Sequence, residues 1–375
     1  MRIIHFVPFY PPERVGGVGE YAARLHRALL DAGHESLVVT RGRRSEPTVR
    51  RIARSRLGWL LGSVLWARRA AGYDVVHTHQ GEALPLMLLV AARRRRARLL
   101  TTFHVSYAGV AASLRPYRLE GRGFRGGPWF YRTLVCWAHR AVDAVAARLA
   151  DARVAITEWT AGELKGTGAP ESARVIRHGF APLALPVDAK PPVELLYVGL
   201  GGIRKRVNAL AFVLERVRRA LPDARLRIAG FELAQEPELR ALLDELGLLD
   251  CVECVGPVAS AALPAHYASA GVLVVPSAYE GLALVILEGM QCGLPPVATR
   301  VGGHAEAIEH GLNGFLVELD RPEQIAERCV EILRDPELRG RLGAAARRTV
   351  EERFGMQRHL REYLALYESL ARERR

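Results

Sequence analysis

At 375 residues the chain is longer than one hydrophobic core comfortably fills, so two domains of about 180 residues each are expected. An apolar share of 49% supplies two packed interiors and excludes a disordered chain, and the longest apolar run, Leu84 to Ala92, is far short of the ~20 residues of a membrane span. The net charge of +13 is unevenly shared, with 29 Lys and Arg against 13 Asp and Glu in residues 1–185 and 24 against 27 in the rest; the basic excess of the first half suits an anionic partner.

The five cysteines are scattered and odd in number, which gives no disulfide framework and suits a reducing compartment. The opening residues MRIIHFVPFY lack an apolar stretch with a small-residue cleavage site, so a cytoplasmic protein is expected.

Arg2 to Val7 reads as a buried opening strand, followed by the turn Pro8 to Pro12. Gly16, Gly17 and Gly19 lead into a helix with apolar residues at Tyr21, Ala22, Leu25, Ala28 and Leu29, closing near Gly33. These glycines come too late after the strand for a dinucleotide fingerprint. Gly16 and Gly17 are either a close backbone approach to a phosphate or acceptor, or a flexible turn. Ser36 to Thr40 is the next strand and Arg41 to Arg54 a polar, basic connection.

Leu57 to Ala70 has helical spacing, with Trp59 and Trp66 seven apart and arginines at both ends. It reads as a crossover helix packed on a sheet, against the alternative of an interfacial helix with Trp and Leu among headgroups and Arg on anionic lipid. Asp74 to His79 is a strand with His77 and His79 on one face. Leu84 to Ala92 is a buried helix closed by Arg93 to Arg96, and the strand Arg98 to His104 delivers His104 to the carboxyl edge of its sheet. Ser113 to Gly127, with Arg115, Arg118, Arg122 and Arg125, is a long loop that either grips an anionic acceptor or is simply solvated. Phe130 to Arg153 is helical and Val154 to Thr157 a strand.

Leu183 to Pro192 is a proline-rich linker and the expected domain boundary. Glu194 to Gly199 opens a second sheet, continued by strands at Arg225–Gly230 and Val252–Gly256. Cys251 and Cys254 form CxxC without a second pair or a nearby His, and read as strand residues. Val272 to Pro276 is a buried strand stopped by proline. A polar turn, Ser277 to Gly281, leads into a helix from Leu282 to Cys292, closed by Gly293 and the two prolines beyond. In a doubly wound sheet this turn lies at the carboxyl edge, where ligands bind. The N–H groups of Leu282, Ala283 and Leu284 would form an anion pocket. Glu280 and Glu288 flank it, either as a two-point grip on one ligand or as a helix-dipole partner and a solvated helix residue. Helices at Pro322–Leu333, Pro336–Glu352 and Met356–Arg372 complete the chain.

The stretch PSAYEGLALVILEGMQCGLPPVAT, with Gly302, Gly303 and Glu306 after it, resembles the signature of the retaining glycosyltransferases of family 4, which have a GT-B fold. ADARVAIT at 150–157 is similar to the ADxVIxxS pattern of that family, and RVIRHG stands where relatives read VIPNG, with His178 in place of Asn. GLGGIRKRV at 199–207 aligns with GRLxxxKGV: Lys205 falls on the donor-phosphate lysine and Leu200 on its companion arginine, leaving Arg204 or Arg206 to supply the second charge. The resemblance implies an α/β chain of two Rossmann-like, doubly wound domains facing across a cleft. These are an acceptor-binding domain at 1–185 and a nucleotide-sugar domain at 186–355, with a C-terminal helix at 356–375 returning to the first.

It also implies a retaining, metal-independent transfer of sugar from a nucleotide-diphosphate sugar, UDP or GDP, to an acceptor hydroxyl, with no further cofactor. The candidate catalytic residues are His104, Lys205 and Glu280. Donor binding is expected from Gly17, Gly199, Arg204, Lys205, Glu280, Gly281, Leu282, Ala283, Leu284 and Glu288, with Glu280 on sugar hydroxyls and Glu288 on the ribose by resemblance. Acceptor binding is expected from Gly16, His79, Arg115 and Arg118. The sequence offers no DxD-type metal pair. The acceptor is a glycan, a lipid or a small molecule, which suits envelope glycan synthesis at the inner face of the plasma membrane; no basic–aromatic motif supports nucleic acid. The alternative, prompted by Leu200, is a catalytically inactive homologue that binds a nucleotide or a partner.

Overall fold

The structure is a computed structural model and describes residues 1–13, 16–91, 97–166, 173–182 and 194–372. The linker expected at Leu183–Pro192 and the arginines 93–96 lie outside the described residues. In chain order the first elements are β1 (Arg2–Phe6), α1 (Gly17–Asp31), β2 (Glu35–Arg41), β3 (Val49–Ala53), α2 (Arg56–Leu65), α3 (Ala67–Ala70), β4 (Val75–His79), α4 (Leu84–Ala91) and β5 (Arg98–Phe103). Then come α5 (Tyr107–Ser113), β6 (Tyr117–Leu119), β7 (Arg122–Phe124), α6 (Cys136–Leu149), β8 (Ala152–Ala155), α7 (Glu158–Lys165) and β9 (Arg174–Val175). The second half holds β10 (Glu194–Val198), α8 (Ala209–Ala220), β11 (Arg225–Ala229), α9 (Pro237–Glu245), β12 (Val252–Cys254), α10 (Leu263–Ala268), β13 (Val272–Val275) and α11 (Leu284–Gln291). It closes with β14 (Pro296–Thr299), β15 (Phe315–Val317), α12 (Pro322–Arg334), α13 (Pro336–Arg353) and α14 (Met356–Arg372).

Two compact units result: residues 1–108, 134–181 and 354–375 form the first, and 109–133 with 182–353 the second. The first is built on a parallel sheet of order β3-β2-β1-β4-β5-β8-β9. Ile3, Ile4 and Phe6 of β1 are fully buried, because a central parallel strand has helices on both faces. On one face Trp59, Leu86, Met87, Ala146, Ala147 and Leu164, from α2, α4, α6 and α7, share a core with Ile4, Phe6, Val76 and Leu99. On the other face α14 packs against α1 and β4, with the Tyr21 and Tyr363 hydroxyls 2.6 Å apart.

Two readings of this unit are corrected. The connection expected at Arg41–Arg54 contains β3, which pairs in parallel with β2. Its arginines hid it: Arg51 is buried, donating to Arg44 O at 2.7 Å and Pro11 O at 3.1 Å and pairing with Glu13 at 3.2 Å. A paired guanidinium on an apolar stem sits in an interior position where the pattern reads polar. The helix expected over Leu57–Ala70 breaks at Trp66 into α2 and α3. Ser55 caps α2, accepting from Gly58 N at 3.0 Å, and Trp59 is turned fully into the core.

The second unit carries a parallel sheet of order β12-β11-β10-β13-β14-β15. Residues 113–127, read as an irregular loop, contain the antiparallel hairpin β6–β7. Tyr117, Leu119 and Phe124 of this hairpin are buried in one core with Phe212 of α8, and Arg122 and Glu120 pair with Glu245 and Arg216. The segment 109–133 therefore groups with the second unit, whereas the sequence division at residue 185 placed it in the first. The alternation of three buried side chains along so short a hairpin is masked by the arginines between them. Each sheet is doubly wound, as the α/β reading requires.

Candidate active site

The site is assembled at the carboxyl ends of two paired strands, β10 and β13. After β10 the chain turns sharply: Gly199 and Gly202 have φ of +149° and +104°, a region that glycine enters without a Cβ penalty. A 3₁₀ turn, Ile203–Lys205, follows, and Arg206 ends it in the left-handed region at φ +52°. This winding sends three consecutive cations different ways. Arg204 and Lys205 meet Glu280, with Arg204 Nη1 3.1 Å from Oε2 and Lys205 Nζ 2.5 Å from Oε1. Arg206 turns into the unit instead, bonding Asp320 at 2.9 Å and Ser113 O at 3.0 Å and lying 3.6 Å over the Tyr117 ring.

Glu280 stands in the turn after β13, which Pro276 ends as expected. The two turns are tied by Ala278 N donating to Arg204 O at 2.8 Å, and Arg204 Nη1 also donates to Tyr279 O at 3.2 Å. A third turn presses on the second. Gly303 N donates to Gly281 O at 2.9 Å, and a Cβ on Gly302, at φ +53°, would lie 1.7 Å from the Glu280 carbonyl oxygen. Burial alone would push the Glu280 carboxyl up, but the charges of Lys205 and Arg204 and the hydrogen bond from Lys205 outweigh it and hold it at about 2. It is ionised throughout the physiological range. One carboxylate against two cations leaves the cluster one positive charge, in the turn whose next residues, Leu282 and Ala283, lead into the helix that starts at Leu284.

That helix, α11, begins at Leu284, two residues later than expected, because Ala283 is extended at φ −69° and ψ 117°. Glu288 lies in its second turn and accepts from the Tyr267 hydroxyl at 3.0 Å. The side chain of Leu200 is 65% exposed, and its carbonyl accepts from Tyr197 at 2.7 Å. Arg204, four residues on, stands as the second cation beside Lys205.

The sequence reading missed His304. It sits fully buried in the turn after β14, with Nδ1 2.8 Å from Thr299 O, Nε2 without a partner among the described residues, and a pKa lowered by burial. The only signal for it was its place directly after Gly302 and Gly303.

In the first unit, His104 directly follows β5, with its backbone N–H donating to Gln80 Oε1 at 3.0 Å. Burial drives its pKa down to about 3, so the ring is neutral. Its Nε2 is 3.3 Å from Nδ1 of His79, whose Nε2 is 3.5 Å from His5 Nδ1. His79 is thus an interior residue of a histidine stack, 1% exposed. His5, His77 and His79 bring ring nitrogens within 4.8 Å of one another, but both nitrogens of His77 are already engaged, by Tyr367 at 2.8 Å and Thr102 at 2.7 Å. The stack is a network of neutral rings in which His5 Nε2 has no partner among the described residues. Gly16 precedes α1 and Gly17 begins it; a Cβ on Gly16 would meet nothing within 4 Å, whereas one on Gly19 would lie 2.7 Å from Phe9 O. Arg115 and Arg118 are exposed in the second unit, where Arg118 donates to Gly121 O at 2.6 Å.

The family description "Glycosyltransferase Family 4" matches residues 15–182 and "Glycosyl transferases group 1" matches residues 186–349. The chain is 30% identical to a D-inositol 3-phosphate glycosyltransferase of Pseudarthrobacter chlorophenolicus, over 92% of this chain and 88% of that one. It is 28% identical to a glycogen synthase of Mycobacterium tuberculosis, over 95% and 92% of the two chains. Its fold is similar to that of Anabaena HepE in complex with UDP-glucose, with a TM-score of 0.80, 20% identity, and coverage of 98% of this chain and 100% of that chain. With both halves matched and a relative aligned along nearly its whole length, the chain belongs to family 4 of the glycosyltransferases and has the GT-B fold.

Proposed function

We propose that the chain moves a sugar from a UDP-sugar to an acceptor hydroxyl with retention at the anomeric carbon, without a metal. The observation that carries this reading is the convergence of Arg204 and Lys205 on buried Glu280 beside the start of α11. Cleavage of the anomeric bond leaves its electron pair on the diphosphate, and fixed cations with oriented N–H groups stabilise that charge as it develops. Glu280 holds Arg204 and Lys205 in place before donor binds and offsets their burial. The donor diphosphate then competes for both cations, and the released carboxylate accepts hydrogen bonds from sugar hydroxyls. Glu288 takes the ribose. The acceptor oxygen attacks the face the phosphate leaves, and its proton passes to the departing phosphate oxygen. His104, kept neutral by burial, serves as a hydrogen-bonding group and not as an acid.

UDP is favoured because HepE, of the same fold, binds UDP-glucose. An anionic acceptor is favoured by the basic excess of residues 1–185 and by a relative named for a phosphorylated inositol; a lipid-linked or glycan acceptor of the envelope is the form proposed for it. A thermal-shift screen of UDP, GDP, ADP and TDP sugars tests the donor. A donor at 100 times its dissociation constant stabilises by about 2.7 kcal/mol, and the UDP sugars should give that shift. Slow hydrolysis of the same donor without acceptor is expected of an enzyme. Binding with no turnover under any acceptor would instead support an inactive homologue.

A further inference from the structure

Large apolar side chains in the first unit are exposed on neighbouring helices. Leu57, Leu61 and Leu65 repeat every four residues along α2 and are 62% exposed or more. Leu88 of α4 is exposed too, as are Trp137 of α6 and Leu134 in the turn leading into it. These helices are adjacent, with α4 packed against both α2 and α6, and all three bury their inner sides in one core on the same sheet face. Their outer sides therefore point the same way. Single exposed leucines need no explanation, but several on adjoining helices mark a surface that another apolar phase covers.

The charge around these residues selects the phase. Residues 54–70 contain Arg54, Arg56, Arg68 and Arg69 and no Asp or Glu; Arg54, Arg68 and Arg69 are exposed. On α6, Arg140 and Arg148 are exposed, and its one acid, Asp143, is buried against Gln80 and Gly81. A second copy of this chain would set these arginines against themselves. We infer that the outer face of α2, α4 and α6 docks on an anionic lipid bilayer, with leucines and Trp137 at the headgroup boundary and arginines on lipid phosphates. Of the two tryptophans the sequence offered for this role, Trp59 is in the core and Trp66 is half-buried; the leucine stripe of α2 and Trp137 take their place. No helix among the described residues is long and apolar enough to cross a membrane, so the contact is interfacial. The inference rests on the lipid-linked acceptor proposed above for its purpose, while the binding itself needs neither donor nor turnover.

The test is cosedimentation of the full chain with vesicles of phosphatidylcholine alone or with about one-third phosphatidylglycerol. Binding should be confined to the anionic vesicles and weaken as salt rises. Leu61→Ser combined with Leu65→Ser, and separately Trp137→Ser, should each lower partitioning about tenfold or more, with thermal melting and donor hydrolysis in free solution unchanged. Three results would overturn the inference: no binding to anionic vesicles, equal binding by the variants, or comparable binding to duplex DNA of equal charge. A dimer in sedimentation velocity that the same variants dissociate would overturn it as well, by assigning the face to a second copy. Vesicle binding without donor hydrolysis would leave the docking standing and count against the transfer reaction alone.

Discussion

Arg204, Lys205 and Arg206 are consecutive and chemically alike, yet the turn that carries them gives them opposite work. Arg204 reaches Glu280 with a partly exposed guanidinium, so Arg204→Ala should leave stability nearly unchanged and weaken UDP-sugar binding about tenfold, or 1.4 kcal/mol. Arg206 is buried against Asp320, Ser113 and Tyr117. Arg206→Ala should cost about 3 kcal/mol of stability by leaving those groups unsatisfied, with turnover at saturating donor retained. Chemical denaturation and donor titration of the two variants check the division, and the reverse pattern would exchange their roles. From sequence alone, either arginine was a candidate to replace the one missing at Leu200. Only the left-handed residue that ends the turn separates them, and a left-handed arginine has no sequence signal.

At the scale of elements, the three turns around Glu280 depend on backbone approaches that side chains would block. Gly302 is the sharpest case, combining a positive φ with no room for a Cβ beside the Glu280 carbonyl. Gly302→Ala should cost about 3 kcal/mol or more and abolish UDP-induced thermal stabilisation; a variant that melts and binds like the wild type would show that the turn can relax. The turn-and-helix signature holding Glu280 was legible because its requirements are local: a strand stopped by Pro276, a helix stopped by Gly293, and paired glycines. What was not legible was non-local. The strand β3 and the hairpin β6–β7 are short and rich in arginine, and only packing against β2 or α8 shows that their alternate residues face inward. The same holds for Trp59 and Trp137, whose inward and outward directions depend on which side of each helix meets the sheet.

Across the whole molecule, the basic first unit hides most of its histidine rings. Among its described residues His5, His26, His77, His79, His104, His178 and His359 are all buried. Burial lowers every one of them, to about 3 for His5 and His104, about 4 for His26 and His359, and well below the usual value for the other three. Their folded values lie below the unfolded value of about 6.5, so the native unit binds fewer protons. Its stability is full above about pH 6.5 and falls as the pH drops below it. Each ring contributes up to about 1.4 kcal/mol per pH unit. Against a total stability of about 5–15 kcal/mol, acid unfolding should be complete before about pH 4. A melting temperature that stays level from neutral pH to about pH 4 would contradict the neutral histidine network.

In the proposed transfer, Lys205 is the cation that meets the charge developing on the diphosphate. Its most direct test is the turnover of Lys205→Ala at saturating UDP-sugar, with folding checked by circular dichroism. A fall of about 100- to 1000-fold, or 2.7–4 kcal/mol, is predicted, and turnover close to that of the wild type would contradict it.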